Sequence, residues 1–204
     1  MKTIYIIRHG QTDLNSKGIV QGRGIDSPLN DKGIEQAQAF YNAYKHIKFD
    51  HIYVSKLKRT LETVSSFVKD GVPYEALEGL DEISWGIYEG QEQTPEILTG
   101  FEALIEKWKS GMLDFAVEGG ESPNQLIQRQ KEAMDYILNQ NDHKTILICM
   151  HGRAMRLLLT WLSGLDASEM DQFPHTNTAL YVLKYGNQSF VIDDFYNVDH
   201  LKLN

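Results

Sequence analysis

The sequence predicts an α/β fold, a three-layer α/β/α sandwich around a mostly parallel sheet with an antiparallel edge, and three observations carry that expectation. Short apolar runs without strict alternation stand at residues 3–7 (TIYII), 51–55 (HIYVS) and 145–150 (TILICM), a pattern suited to strands buried on both faces. Stretches with helical spacing and legible caps separate them. Two later runs, TALYVLKYG and QSFVIDDFYNV, alternate more and flank Gly186-Asn187, which marks a hairpin at a sheet edge. Strands alternating with helices require helices on both faces of the sheet.

In chain order, TIYII ends at Arg8-His9-Gly10. Asn30 is placed to cap a helix with Ile34, Ala37, Tyr41 and Tyr44 on one face, and Leu29 and Ile34 are spaced for a hydrophobic staple. After HIYVS, Leu57, Leu61, Val64 and Val68 place a helix over 57–69. Thr94-Pro95 and Ser122-Pro123 each read as a cap followed by proline in the first helical position, and Ser122 with Gln125 completes a capping box. Phe101, Leu104 and Trp108 recur at helical spacing, as core or as a wall over a ligand. TILICM ends at His151-Gly152, and a further helix is expected over 153–163. The 204 residues contain no repeat, low-complexity tract or linker, so one domain over 1–204 is expected.

The balance of 20 Lys+Arg against 28 Asp+Glu gives a formal charge of -8, which argues against a general nucleic-acid or anionic-membrane surface. An anionic ligand has to be caught locally. Cys149 is the single cysteine, and its place within TILICM reads as a buried, inert thiol. The N-terminal MKTIYIIRHG lacks the apolar run and cleavage region of a signal peptide, so the cytoplasm is the expected compartment. No apolar stretch approaches the roughly 20 residues that span a bilayer.

In open α/β sheets ligands bind beyond the carboxyl ends of the strands, where both His-Gly pairs fall. Arg8 gives such a pocket a permanent cation, and the glycines let backbone amides approach an oxyanion. Either pair alone reads first as a strand-ending turn, a reading that the presence of both weakens, and His9 alone as a hydrogen-bonded core histidine. Metal ligation is the sharper rival, but each strand end offers a cationic neighbour, Arg8 or Arg153, in place of a second ligand.

The stretch Arg8-His9-Gly10-Gln11-Thr12-Asp13-Leu14-Asn15, with Gln21-Gly22 and Asp26-Ser27-Pro28-Leu29, resembles the opening of the histidine phosphatase superfamily, which includes the cofactor-dependent phosphoglycerate mutases. Residues 55–63 (SKLKRTLET) are similar to its second motif, Leu80-Asp81-Glu82-Ile83 with Gly86 and Glu89-Gly90 to its third, and Met150-His151-Gly152 to its fourth, in the family's order. Leu14 departs from the pattern where an aromatic is usual, and Arg153 where a small residue is common.

The resemblance implies a phosphoglycerate mutase-like fold and a metal-independent phosphoryl transfer. His9 would be the nucleophile, Arg8, Arg59 and His151 the groups around the transferring phosphoryl, and Glu82 the acid that protonates the leaving oxygen. Asn15, Gln21 and Thr12 would line the phosphate or substrate pocket, although Thr12 reads nearly as well as a loop cap. Glu78, Asp81 and Glu89 are nearby acids that spacing alone does not separate from Glu82. Arg153 either adds a cation at the pocket mouth or decorates a helix start.

The expected activity is hydrolysis of a small phosphate ester without metal or cofactor. The alternatives are a phosphoglycerate mutase, which would use 2,3-bisphosphoglycerate, and a silent phospholigand-binding domain. The resemblance implies that a glycolytic-type mutase would carry a longer and more basic insertion after the acid motif; the stretch from Gln91 to Gly120 is short with few lysines, which favours the phosphatase.

Overall fold

A computed structural model describes residues 1–202. Its six strands are β1 (Lys2–Arg8), β2 (His51–Val54), β3 (Tyr74–Ala76), β4 (Thr145–Met150), β5 (Leu180–Gly186) and β6 (Ser189–Asn197), in sheet order β3-β2-β4-β1-β5-β6. β3, β2, β4 and β1 run parallel, whereas β5 pairs antiparallel with β1 and with β6. The sandwich with an antiparallel hairpin edge is therefore the observed architecture.

Six α-helices cover the sheet: α1 (Asp13–Ser16), α2 (Asp31–Tyr44), α3 (Lys58–Lys69), α4 (Pro95–Lys109), α5 (Pro123–Leu138) and α6 (Gly152–Leu162). Alternation along the central strands feeds two cores. Ile4 and Ile6 of β1 with Ile146, Ile148 and Met150 of β4 pack among residues of α4, α5 and α6. Ile7, Leu147 and Cys149 face Phe40 of α2 with Val64 and Phe67 of α3. Cys149 is buried, and burial pushes its thiol pKa up, so it is inert in its resting state.

Caps appear where the sequence placed them. Asn30 accepts from Gly33 N–H at 2.9 Å, Thr94 caps α4, and Ser122 with Gln125 closes its box at α5. One packing expectation fails. Ile34 is 58% exposed, because the buried face of α2 runs through Gly33, Ala37 and Phe40 and turns Ile34 aside. It lines a surface groove with Leu29 instead of entering the core. The three-residue β3 and four-residue α1 carried too little periodicity to be read. Among the described residues no helix is long and apolar enough to cross a membrane.

Candidate active site

The register of β1 on β4 sets Arg8 opposite Met150, so His9 and His151 leave the two strands at the same level. His9 N–H donates to Met150 O at 3.0 Å, and the two imidazoles lie 5.1 Å apart between centroids. Gly10 lets the chain turn across the start of α2: a Cβ there would stand 2.6 Å from Gly33 O. Gly10 N–H donates to Thr63 Oγ1 at 2.9 Å, which ties the turn to α3.

The histidines are fixed in defined tautomers by their partners. A carbonyl only accepts, so the 2.6 Å contact between His9 Nδ1 and Gly10 O puts the proton on Nδ1 and leaves the Nε2 lone pair unengaged among the described residues. Burial, then the charges of Arg59 and Arg8, hold the His9 pKa well below its usual 6.5. A neutral imidazole with a free Nε2 is the nucleophilic form.

His151 Nδ1 accepts from Arg59 Nε at 3.2 Å, so its Nε2 proton goes to Ser55 Oγ at 2.7 Å. Burial, then Arg59, lowers its pKa as well. Arg59 is fully buried, and its other nitrogens donate to Ile25 O at 2.7 Å and Gly22 O at 3.3 Å. It thereby fixes the loop that carries Gln21 while adding positive potential at both histidines.

A cavity of about 200 Å³ adjoins this layer, lined by Arg8, Asn15, Ile19, Val20, Gln21, Glu82, Trp85, Gln93, Phe101, Gly152, Arg153 and His175. Arg8 donates to His175 O at 2.6 Å through Nη1, while its buried Nε has no partner among the described residues. Burial lowers its pKa only to about 10, so it remains a cation at neutral pH. Among the described residues no group of three or more His, Cys, Asp or Glu is placed to hold a metal ion.

The geometry separates the candidate acids. Glu82 lines the cavity, with Oε1 accepting from Ile83 and Ala154 N–H at 2.9 and 2.8 Å and Oε2 from Arg153 N–H at 3.0 Å. Its carboxyl thus sits on the first turn of α6. Asp81 turns away to accept Lys56 N–H at 2.7 Å and Arg23 Nε at 3.2 Å. Glu89 accepts from Gly24 and Trp85 N–H, each at 2.9 Å, and Glu78 pairs with Arg23.

Asn15 and Gln21 line the cavity, whereas Thr12, like His9, Arg59 and His151, lies behind its wall. Its buried hydroxyl accepts from Asn15 N–H at 3.1 Å and Gln21 Nε2 at 3.0 Å, capping α1 and positioning two lining residues without lining the cavity itself. Sequence reasoning also missed several supports. Arg129 donates to the carbonyls of Glu78, Gly79, Asp81 and Glu82 and pairs with Glu121 at 2.7 Å, bracing the acid loop. Asn177 donates to His9 O at 3.0 Å. His175, whose pKa burial lowers to about 3, closes one wall, and Trp85, Gln93 and Phe101 form another. Phe101 carried a signal in its helical spacing with Leu104 and Trp108, and Asn177 a weaker one in the similarity of Asn177-Thr178 to the family.

A family model described as the histidine phosphatase superfamily (branch 1) matches residues 4–198. Over 139 residues the chain is 35% identical to fructose-2,6-bisphosphatase TIGAR of Bos taurus, a match covering 65% of this chain and 49% of that protein. The matched part therefore spans about half the length of that relative. Identity to the probable phosphoglycerate mutase GpmB of Proteus mirabilis is 28%, with 98% and 95% of the two chains covered. A solved phosphoserine phosphatase of Entamoeba histolytica, in complex with 3-phosphoglyceric acid, is 27% identical with a TM-score of 0.83, covering 98% of this chain and 100% of that one.

Proposed function

Because the chain belongs to the histidine phosphatase superfamily, we propose that it is a metal-independent phosphatase acting through a phosphohistidine on His9. The observation that carries this reading is the His9 imidazole, neutral, with Nδ1–H on Gly10 O and Nε2 unengaged. Nε2 attacks phosphorus as the ester P–O bond breaks, and the departing oxygen takes a proton that the monoanionic phosphate ester supplies through the Glu82 carboxylate. Water then attacks the phosphohistidine, the P–N bond breaks to free Nε2, and the proton from water passes through Glu82 to the released inorganic phosphate. Arg8 and Arg59 supply the positive potential that phosphoryl transfer requires on the equatorial oxygens. With His9, Arg8, Arg59, Glu82 and His151 all present, the silent binding domain is set aside.

The likeness to GpmB keeps the mutase as the second reading. A mutase must hold an acceptor hydroxyl against the phosphohistidine while excluding water. Here α4 contributes Phe101 to the cavity wall but no cation: Lys107 lies over the Phe115 ring, and Lys109 pairs with Glu106 and Asp171. That supports water as the acceptor. The same proposal takes a small phosphate ester as partner rather than nucleic acid or membrane, in keeping with the charge of -8, and a cytoplasmic setting, in keeping with a lone buried Cys149.

The test quenches enzyme mixed with labelled phosphate ester in alkali, where phosphoramidates survive. Label is expected on His9 and absent in His9→Ala, and undiminished label in the variant overturns the assignment. With 3-phosphoglycerate and 2,3-bisphosphoglycerate, release of phosphate is expected to exceed formation of 2-phosphoglycerate. Rapid isomerisation with negligible hydrolysis would establish the mutase.

A further inference from the structure

Arg153 stands where the family pattern has a small residue, and it opens α6 with its side chain in the wall of the cavity. Its guanidinium is held from one side only. Nη1 donates to Asp171 Oδ1 at 2.7 Å, and Cζ lies 5.9 Å from the ring centroids of both Trp85 and Trp108. The remaining guanidinium N–H groups have no acceptor among the described residues, although the side chain is only 10% exposed.

Asp171 does not neutralise this corner. The same carboxylate also pairs with Arg156 and, at 3.8 Å, with Lys109. Three cations share one anion, and of the three only Arg153 reaches the cavity. Arg8, next to His9 in the chain, lines the cavity too, so about 200 Å³ holds two guanidiniums and the Glu82 carboxylate, whose oxygens are taken up by backbone N–H groups.

We propose that Arg153 is a specificity-determining residue that binds a second anionic group, a carboxylate or second phosphate, borne by a short phosphate ester whose first phosphate meets Arg8 and His9. This rests on the phosphatase reading for its substrate class, while the anion site itself stands on the geometry. Asp171 acts as the positioning residue: one charged hydrogen bond and two flanking tryptophans fix the fork without occupying its free N–H groups.

The experiment compares 3-phosphoglycerate with glycerol 3-phosphate, which differ by a carboxylate in place of a hydroxymethyl. Phosphate release by the wild-type enzyme should favour 3-phosphoglycerate in kcat/KM by about tenfold to a hundredfold, the range of a hydrogen bond to a charged group. In Arg153→Gln that ratio should fall towards one, and in Arg153→Lys it should be partly kept. Reading the ratio cancels any loss common to both esters. Calorimetric titration of both esters into His9→Ala and into His9→Ala combined with Arg153→Gln or Arg153→Lys, none of which can turn over, reads the discrimination without chemistry. Discrimination in binding that the double variant loses, with no phosphate released by the wild type from these or other phosphate esters, keeps the Arg153 site and removes the phosphatase reading. Equal handling of the two esters in both measurements, or a ratio unchanged in Arg153→Gln, overturns the proposal.

Discussion

Glu82→Gln separates a structural role from a chemical one at a single side chain. The three backbone N–H groups of Ile83, Ala154 and Arg153 converge on the Glu82 carboxylate at 2.8 to 3.0 Å. However the glutamine amide is turned, its NH₂ confronts at least one of these donors. One hydrogen bond to a charged acceptor is lost, and the first turn of α6 loses a negative charge on its dipole. A charged hydrogen bond contributes about 1.5–3 kcal/mol. At about 2–4 °C per kcal/mol for a domain of this size, Tm should fall by about 3–12 °C.

The chemical loss is distinguishable because it depends on the leaving group. General acid catalysis is worth about 10²- to 10⁴-fold, and alkyl phosphates, with poor leaving groups, need the proton far more than aryl phosphates do. Measuring kcat/KM for an alkyl phosphate and for p-nitrophenyl phosphate, beside a thermal melt of each protein, reads both roles. Equal losses on the two substrates would refute proton donation by Glu82. An unchanged Tm would refute its grip on α6.

Three further outcomes follow from the same geometry. Burial and the charges of Arg59 and Arg8 depress the His9 pKa, so its neutral form persists as pH falls and the acid limb lies below 6.5. kcat/KM corrected for substrate ionisation should stay flat between pH 7 and about 6.5, and a substrate-independent limb at 6.5 would show an unperturbed imidazole. Activity should survive excess EDTA and be inhibited by vanadate, which mimics a five-coordinate phosphorus; loss of activity restored by a divalent ion would overturn the metal-free mechanism. Thr12→Val removes the α1 cap and the contact to Gln21, costing about 1 kcal/mol of stability. It should raise KM more than it lowers kcat, and a loss confined to kcat would place Thr12 in the chemistry.

Legibility in the sequence followed the range of the interaction. The two His-Gly pairs were readable because each ends a short apolar run, and parallel pairing of β1 with β4 then places His9 and His151 level. Caps such as Asn30 and Ser122 were readable because both partners lie within three residues of each other. Ile34 misled because a helical spacing of apolar residues fixes a face only to within about one residue, or 100°. Tertiary packing chose the stripe centred on Ala37 and Phe40.

The supports of the site lay beyond local pattern. The bond from Arg153 N–H to Glu82 spans 71 residues, that from Asn177 to His9 spans 168, and the Arg129 contacts to the acid loop span 47 to 51. Their donors are backbone amides, an amide side chain and a guanidinium, groups found in every chain and given meaning only by the fold. The consequence is a division of labour that the positions of the residues display. Reacting groups sit at strand ends, where the β1 and β4 backbones aim them, while the acid and Arg153 are aimed by the first turn of α6. The Glu82 loop is thus held from two sides, by the Arg129 guanidinium at its carbonyls and by the amides of α6 at its carboxyl, and the second hold is set by the same turn that carries Arg153.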